Sequence, residues 1–450
     1  MGSKFQLILL DNIAEVIDSR HKTPSYTESG YPMVRVVDIK NGELDLKNTK
    51  RVTEDIYEDF SKGRSPQIGD LIISRVGSYG NISYVSKNEK FCLGQNTAFI
   101  IPNEKNSYLY YALISPFVQQ QINDMAVGAV QKTISLKSIK NLKIPYPELN
   151  IRNIISEKLR DIDNRISTND KINKTLEQMS QTLFKSWFVD FDPAIDNALD
   201  AGNPIPETLQ SRAELRQKVR NSADFRPLPT EIRSLFPSEF EETELGWVPK
   251  GWCIKDFSVI AKLIKGNVKS ENICDDIHYI GLEHLERKHI FITNYGNGGD
   301  VSSNKSAFDK DDLLFGKLRP YFHKVALAPF SGICSTDILV FRAKENIYRS
   351  LMAMYAFTDD FVAYANLRST GTRMPRAEAK DLLNYKIVLP NKNVLEKFEV
   401  LLENYWIKGQ LNNYENEKLT NLRDTLLPKL ISGELSLEDL PDLTTDTDAA

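Results

Sequence analysis

Cysteine and histidine are scarce in this chain, four and five among 450 residues, and the sites they build are scarce with them. Cys92, Cys253, Cys274 and Cys334 are scattered without any C-x-x-C spacing, which argues against a disulfide framework and a zinc site and predicts four reduced, buried thiols. His278, His284 and His289 fall close together, yet no cysteine or carboxylate spacing around them matches a metal site, so they read as strand residues. Long apolar runs are missing as well: none approaches the ~20 residues needed to span a bilayer. The opening MGSKFQLILLDN has neither the apolar core nor the small-residue cleavage site of a secretory signal, and a cytoplasmic location with no membrane partner is expected.

Catalytic signatures are missing too. Amino methylation of adenine calls for Asn or Asp followed by Pro-Pro-aromatic, and DFDP at 190 to 193 lacks the second proline. GNVKS at 266 to 270 is not a phosphate-cradling G-x-x-x-x-G-K-[ST], and GNGGD at 296 to 300 follows no strand-to-helix pattern, so it reads as a surface turn. No catalytic residue and no metal ligand is assigned.

What remains is globular. Hydrophobic residues make up 41% and charged residues 26%, which excludes a disordered or fibrous chain, and the length calls for two or three domains. The net charge of -4 speaks against a nucleic-acid binder only at first sight, because SGELSLEDLPDLTTDTDAA at the end carries six acids and no Lys or Arg. Without that stretch the remainder is neutral to slightly basic, and binding would lean on local cations.

The most informative feature is a repeat at a period of roughly 240 residues, far longer than solenoid periods and therefore a duplicated domain. IAEVI at 13 to 17 answers IAKLI at 260 to 264, and VRVVDI at 34 to 39 answers IGLEHL at 280 to 285. GDLIIS at 69 to 74 answers DDLLFG at 311 to 316, and GQNTAFII at 94 to 101 answers STDILVFR at 335 to 342. GAVQKTISLKSIKNLKIPYP at 128 to 147 answers GTRMPRAEAKDLLNYKIVLP at 371 to 390, and TLFKSWF at 182 to 188 answers TLLPKLI at 425 to 431. Six pairs in one order carry what no single pair would.

Each half opens on short runs of Val, Ile, Tyr and Phe between Gly, Asn and Asp turns, the pattern of strands with some helix among them. Each closes on a helical stripe. Residues 151 to 190 carry Ile155, Leu159, Ile162, Ile166, Leu176, Met179, Leu183 and Trp187, and residues 393 to 432 carry Phe398, Leu402, Tyr405, Leu419, Leu422, Leu426 and Leu430. Helices of ~60 Å with one apolar face need a partner, and the other copy has the matching stripe. Asn169 in the first, and Gln410, Asn412 and Asn413 in the second, interrupt the stripes as in a partly solvated spacer. Between the halves, residues 191 to 250 are rich in Pro, Asp and Asn and read as a linker carrying one short helix.

Two α/β halves, each followed by a long helix, resemble the specificity subunits of Type I restriction-modification enzymes. TLFKSWFVDFDP at 182 to 193, LPTEIRSLFPSEFEETELGWVPKGW at 228 to 252 and LRDTLLPKLISGELSL at 422 to 437 look like that family's central and C-terminal conserved regions. The resemblance implies a duplicated α/β (α+β) fold: two target recognition domains with mixed or antiparallel sheets, separated by two long helices packed as an antiparallel coiled coil. The corresponding parts are domain 1 at residues 1–150, the central helix at 151–190, the linker at 191–250, domain 2 at 251–392, the C-terminal helix at 393–433 and an acidic tail at 434–450. It further implies a non-catalytic subunit that reads a bipartite, asymmetric site on double-stranded DNA and docks two methyltransferase subunits and restriction subunits. Leu159, Ile166, Leu176, Leu183, Trp187, Leu402, Leu419, Leu426 and Leu430 would form the helix spacer and its docking faces. S-adenosylmethionine, ATP and Mg would then belong to the partner subunits. The same fold would also suit a recognition module for a single-chain restriction-methyltransferase of another type. A helical scaffold without nucleic acid, or an enzyme with an unrecognised site, are the readings from other classes.

Base edges are read by paired hydrogen bonds from Arg, Lys, Asn and Gln on exposed loops, with Ser, Thr and Tyr adding single ones. SRHKTP at 19 to 24 groups Arg20, His21, Lys22 and Thr23 before a proline. The glycine-punctuated RVGSYGN at 75 to 81 offers Arg75, Ser78, Tyr79 and Asn81, while Gln95 and Asn96 read as structural. In the second half GKLRPYFHK at 316 to 324 takes the place of RVGSYGN with Lys317, Arg319, Tyr321, His323 and Lys324, and it is the leading candidate. LRSTGTRMPR at 367 to 376 adds Arg368, Thr370, Thr372, Arg373 and Arg376 around Gly371, answering Lys132 and Thr133 after Gly128.

Overall fold

A computed structural model describes residues 4–371 and 373–435, so Thr372 and most of the expected acidic tail lie outside the described residues. The chain divides into two compact units, one of residues 1–167 with 416–450 and the other of residues 168–415.

The first unit is built on a five-stranded sheet whose antiparallel strands β1 (Ala14–Asp18), β2 (Leu71–Ser74), β3 (Ile82–Tyr84) and β4 (Thr97–Pro102) are ordered β1-β4-β2-β3, with the short Gly42–Glu43 parallel to β3 at the edge. Alternation decides its faces: Leu71, Ile73, Ala98 and Ile100 turn to helices Tyr108–Ile114 and Pro116–Met125, whereas Ile72 and Phe99 turn to Val85 and Phe91. Each such Leu, Ile or Phe side chain, fully buried, is worth ~1.5–3 kcal/mol. In a second, smaller sheet Met33 and Val34 run parallel to Cys92 and Leu93.

The second unit repeats the plan with β5 (Ala261–Leu263), β6 (Leu313–Gly316), β7 (Val325–Leu327) and β8 (Ile338–Ala343), ordered β5-β8-β6-β7. Leu313, Phe315 and Phe341 face one core, Leu314 and Val340 the other, and Tyr279 and Ile280 run parallel to Ile333 and Cys334. Every β-string paired in the sequence reading falls on equivalent strands in equivalent register, so the duplication is one of fold.

Two long helices follow as expected: α1 (Leu149–Phe184), continued by a π-helical turn Lys185–Val189, and α2 (Lys392–Ser432). Within the first unit Leu159 of α1 shares a core with Leu427 and Leu430 of α2, and Asp163 pairs with Arg423 at 2.9 Å. Within the second unit Asn169 bonds Glu415 at 2.9 Å and Asn173 bonds Asn413 at 2.6 Å, so one helix ascends as the other descends. Trp187 and Leu402 are buried, and Ile166, Leu176, Leu183, Leu419 and Leu426 half-buried.

Four expectations need correction. Met179 is exposed, because the buried face of α1 passes through Asn173, Leu176, Glu177 and Ser180. Asn169 and Asn412 are buried and not solvated, since their amides donate across the helix pair, Asn169 to Glu415 at 2.9 Å and Asn412 to Asn173 at 2.8 Å. Cys253 and Cys274 are exposed, the one opening the strand Cys253–Asp256 and the other opening the turn closed by the Ile277 N–H to the Cys274 carbonyl. The expected linker instead holds helices Asp192–Ala201, Gln210–Arg220 and Thr230–Arg233 and a hairpin of Phe240–Thr243 with Gly246–Pro249. Asp192, Asp196 and Asp200, one turn apart, meet Arg212, Arg216 and Arg220, also one turn apart, and so pair two helices face to face.

Candidate nucleic-acid interface

The same platform stands at the end of the main sheet in each unit. In the first, the chain leaving β2 bridges Val76 to Thr133, and Thr133 bridges in turn to Val127. Arg75 donates its N–H to the Asn96 carbonyl at 2.8 Å and its carbonyl accepts from Ile134 at 2.9 Å. In the second, the chain leaving β6 bridges Leu318 to Arg376, and Arg376 bridges to Thr370. Lys317 donates to the Asp337 carbonyl at 2.9 Å and accepts from Ala377 at 3.0 Å. The structure therefore brings the 75–81 segment to the 127–133 loop, and the 317–324 segment to the 368–376 loop, by matching backbone bonds.

Side chains on the platforms differ in freedom. Arg75 is folded back onto Asp18 and the Ile134 carbonyl, so it braces the first platform and does not reach outward as expected. Ser78 is exposed, Tyr79 donates to Asn123 at 2.9 Å, and Asn81 donates to the Ile39 carbonyl at 3.3 Å. Lys132 is exposed with no ion pair among the described residues. In the 19–24 loop Arg20 and Lys22 share Asp59 with Lys62; the Lys62 hydrogen bond and the charges of Arg20 and Lys22 hold that carboxyl below its usual range. His21 bonds Asp18 at 2.9 Å, and Thr23 accepts from Gln95 at 3.2 Å.

The leading candidate of the second half is more structural than expected. His323 is buried, its ring bonded to the Phe357 carbonyl at 3.0 Å and beside Asp359 at 3.2 Å; burial lowers its pKa, and it does not face solvent. Lys324 donates to the Leu282 carbonyl, and partial burial lowers its pKa. Arg319 takes a left-handed backbone, φ 51°, with its Nε buried and unpartnered among the described residues. Tyr321 is open, and Lys317, half-buried, has no ion pair among the described residues. The exposed cations lie on the neighbouring loop. Arg368 reaches over the Tyr364 ring, Arg373 is exposed without an ion pair among the described residues, Thr370 is exposed, and Arg376 bonds Asp337 at 3.0 Å, which raises its pKa.

A search for polar readers overlooks four apolar side chains on the two outer loops: Val127 and Val130 in the first unit, Leu367 and Met374 in the second, all exposed. Leu367 ends the helix Asp359–Leu367, and the other three lie within three residues of a turn glycine, Gly128 or Gly371, outside any regular strand or helix that would bury them. Among the described residues there is no group of three or more His, Cys, Asp or Glu placed to hold a metal, and no helix long and apolar enough to cross a membrane.

Comparison with known proteins follows the same lines. Residues 3–178 match the family described as the Type I restriction modification DNA specificity domain. The chain is 24% identical to the HindI Type I restriction enzyme specificity subunit of Haemophilus influenzae, over 93% of this chain and 97% of that one. It is 23% identical to the MjaIX specificity subunit of Methanocaldococcus jannaschii, over 93% and 90%. A Type I S subunit of known structure from M. genitalium superposes with a TM-score of 0.51 at 14% identity, over 98% of this chain and 97% of that one, a likeness of fold.

Proposed function

We propose, from the premise that this chain belongs to the Type I restriction-modification specificity subunits, that its two units each read one half of a split, asymmetric DNA site. The single observation carrying the split reading is the doubled platform: the same bridges and backbone bonds recur in both units under different side chains. Equal scaffolds with unequal readers call for two half-sites of unequal sequence. Lys132 in the first unit, and Lys317, Arg368 and Arg373 in the second, are the cations free to meet phosphate or base edges.

Catalysis belongs in this reading to partner subunits, two methyltransferases and the restriction subunits, with S-adenosylmethionine, ATP and Mg bound there. The missing methylation and phosphate-cradle motifs of this sequence support that division. The test is methylome sequencing of cells that express the chain with a methyltransferase subunit from the same system. A split motif supports the reading. Complex assembly without any new methylated motif sinks it and returns the chain to a scaffold.

A further inference from the structure

We infer that the 127–133 loop reads its half-site through apolar contact, with the Val130 side chain set against the methyl group of a thymine; this rests on the DNA reading above. Val130 is completely exposed, at 103% of its reference area, and Val127 is exposed at 69%. Folding gains nothing from a valine in that position, since it removes no apolar surface from water. The loop is nevertheless held firmly. Thr133 and Val127 exchange both backbone bonds at 2.8 and 2.9 Å, and Gly77 donates to the Lys132 carbonyl at 3.3 Å. Gly128 turns the chain at φ +119°, where an added Cβ would lie 2.4 Å from the Gln131 carbonyl oxygen, so only glycine makes this turn.

The second unit supplies the contrast. There Thr370 and Arg376 exchange the same two bonds, Gly371 takes the place of Gly128, and Arg373 takes the place of Val130. A constant base with Val at one tip and Arg at the other is a change of reader and not of scaffold. Arginine suits the acceptors of guanine, whereas an apolar side chain beside Lys132 suits the one apolar group that a base pair shows in the major groove, the thymine C5-methyl. Lys132, two residues on, supplies the charge that brings this tip to phosphate.

The decisive experiment measures binding of the assembled complex with its methyltransferase subunits to duplexes carrying the motif found by methylome sequencing. Each thymine of the first unit's half-site is replaced in turn by uracil, which deletes only the methyl. Burying one methyl is worth ~0.8 kcal/mol, so the wild type should lose about fourfold in affinity at one position. Val130→Ser should bind the thymine and uracil duplexes equally, while keeping wild-type dependence on the other half-site as proof that it is folded. Undiminished discrimination by Val130→Ser, or none by the wild type, overturns the inference alone. Failure of the complex to bind any duplex overturns the DNA reading itself and this inference with it.

Discussion

The two units share a sheet order and a loop platform, yet they finish their cores differently. The first closes on aliphatic side chains and the tyrosines Tyr108, Tyr110 and Tyr111, joined by Leu427, Leu430 and Ile431 from the end of α2. The second closes on an aromatic nest of Phe184, Trp187, Phe188, Phe236, Trp252 and Phe398, the first three from the end of α1. Repeat and unit are therefore not the same partition of the chain. Each helix starts in the larger core of its own repeat and ends in the larger core of the other, so neither repeat by itself completes its larger core.

Truncation at the two helix ends breaks this comparison with the largest effect. Trp187→Ala should cost ~3–5 kcal/mol and Leu430→Ala ~2–5 kcal/mol. The location of the damage is the sharper outcome. Hydrogen exchange should lose most protection in β6 and β8 for Trp187→Ala, although Trp187 belongs to the first repeat, and in β2 and β4 for Leu430→Ala. Loss confined to the strands of the residue's own repeat would show the exchange of helix ends to be wrong.

Particular residues show why some of this was legible and some was not. The β-strings aligned because the period of two is local: Leu71 and Ile73 share a face whatever surrounds them, as do Leu313 and Phe315. The long helices were legible for the same reason. Between 191 and 250 one short helix was expected where three stand, because proline and aspartate composition reads as linker. Their Asp and Arg residues at four-residue spacing were a legible signal left unused, worth more here than composition. Burial of His323 and the tether of Arg75 depend on Phe357 and Asp18, neighbours brought from 34 and 57 residues away, which no local pattern displays. Val127 and Val130 went unnoticed because only polar side chains were sought as readers.

Next in size is the difference between the loop cations. Arg373→Ala should relax the motif at one position of the second half-site, costing ~1–3 kcal/mol if the guanidinium makes a paired base contact. Lys132→Ala, next to an apolar tip, should instead weaken binding evenly across sequences and lower the salt slope by ~1, the mark of a phosphate contact. Equal sequence-independent losses in both variants would mean that neither loop reads bases. Affinity over a salt series, with motif-bearing and scrambled duplexes in parallel, separates the two outcomes.

The smallest expected effect concerns pH, and it too separates the units, because the second holds four of the five histidines. His289 sits beside buried Glu177, whose Oε1 accepts the Ile290 N–H at 2.8 Å and whose Oε2 lies 3.1 Å from the ring; the hydrogen bond between ring and Oε2, outweighing burial, raises the imidazole pKa. A raised folded-state value means stability fully present below the unfolded value of ~6.5 and lost as pH climbs through the folded one. His323 runs the other way: burial, outweighing Asp359, lowers its pKa, so the unfolded chain takes the proton first and stability falls as pH drops below ~6.5. Glu177, Glu286 and Lys174 are the charges that act on His289, and Asp359 and Lys288 those that act on His323. Stability of the second unit should therefore peak near the ordinary imidazole value, and His289→Asn should flatten its alkaline side alone. A melting series from pH 5 to 9 that leaves the alkaline slope unchanged in that variant would detach His289 from the stability of this unit and leave Glu177 as a backbone cap only.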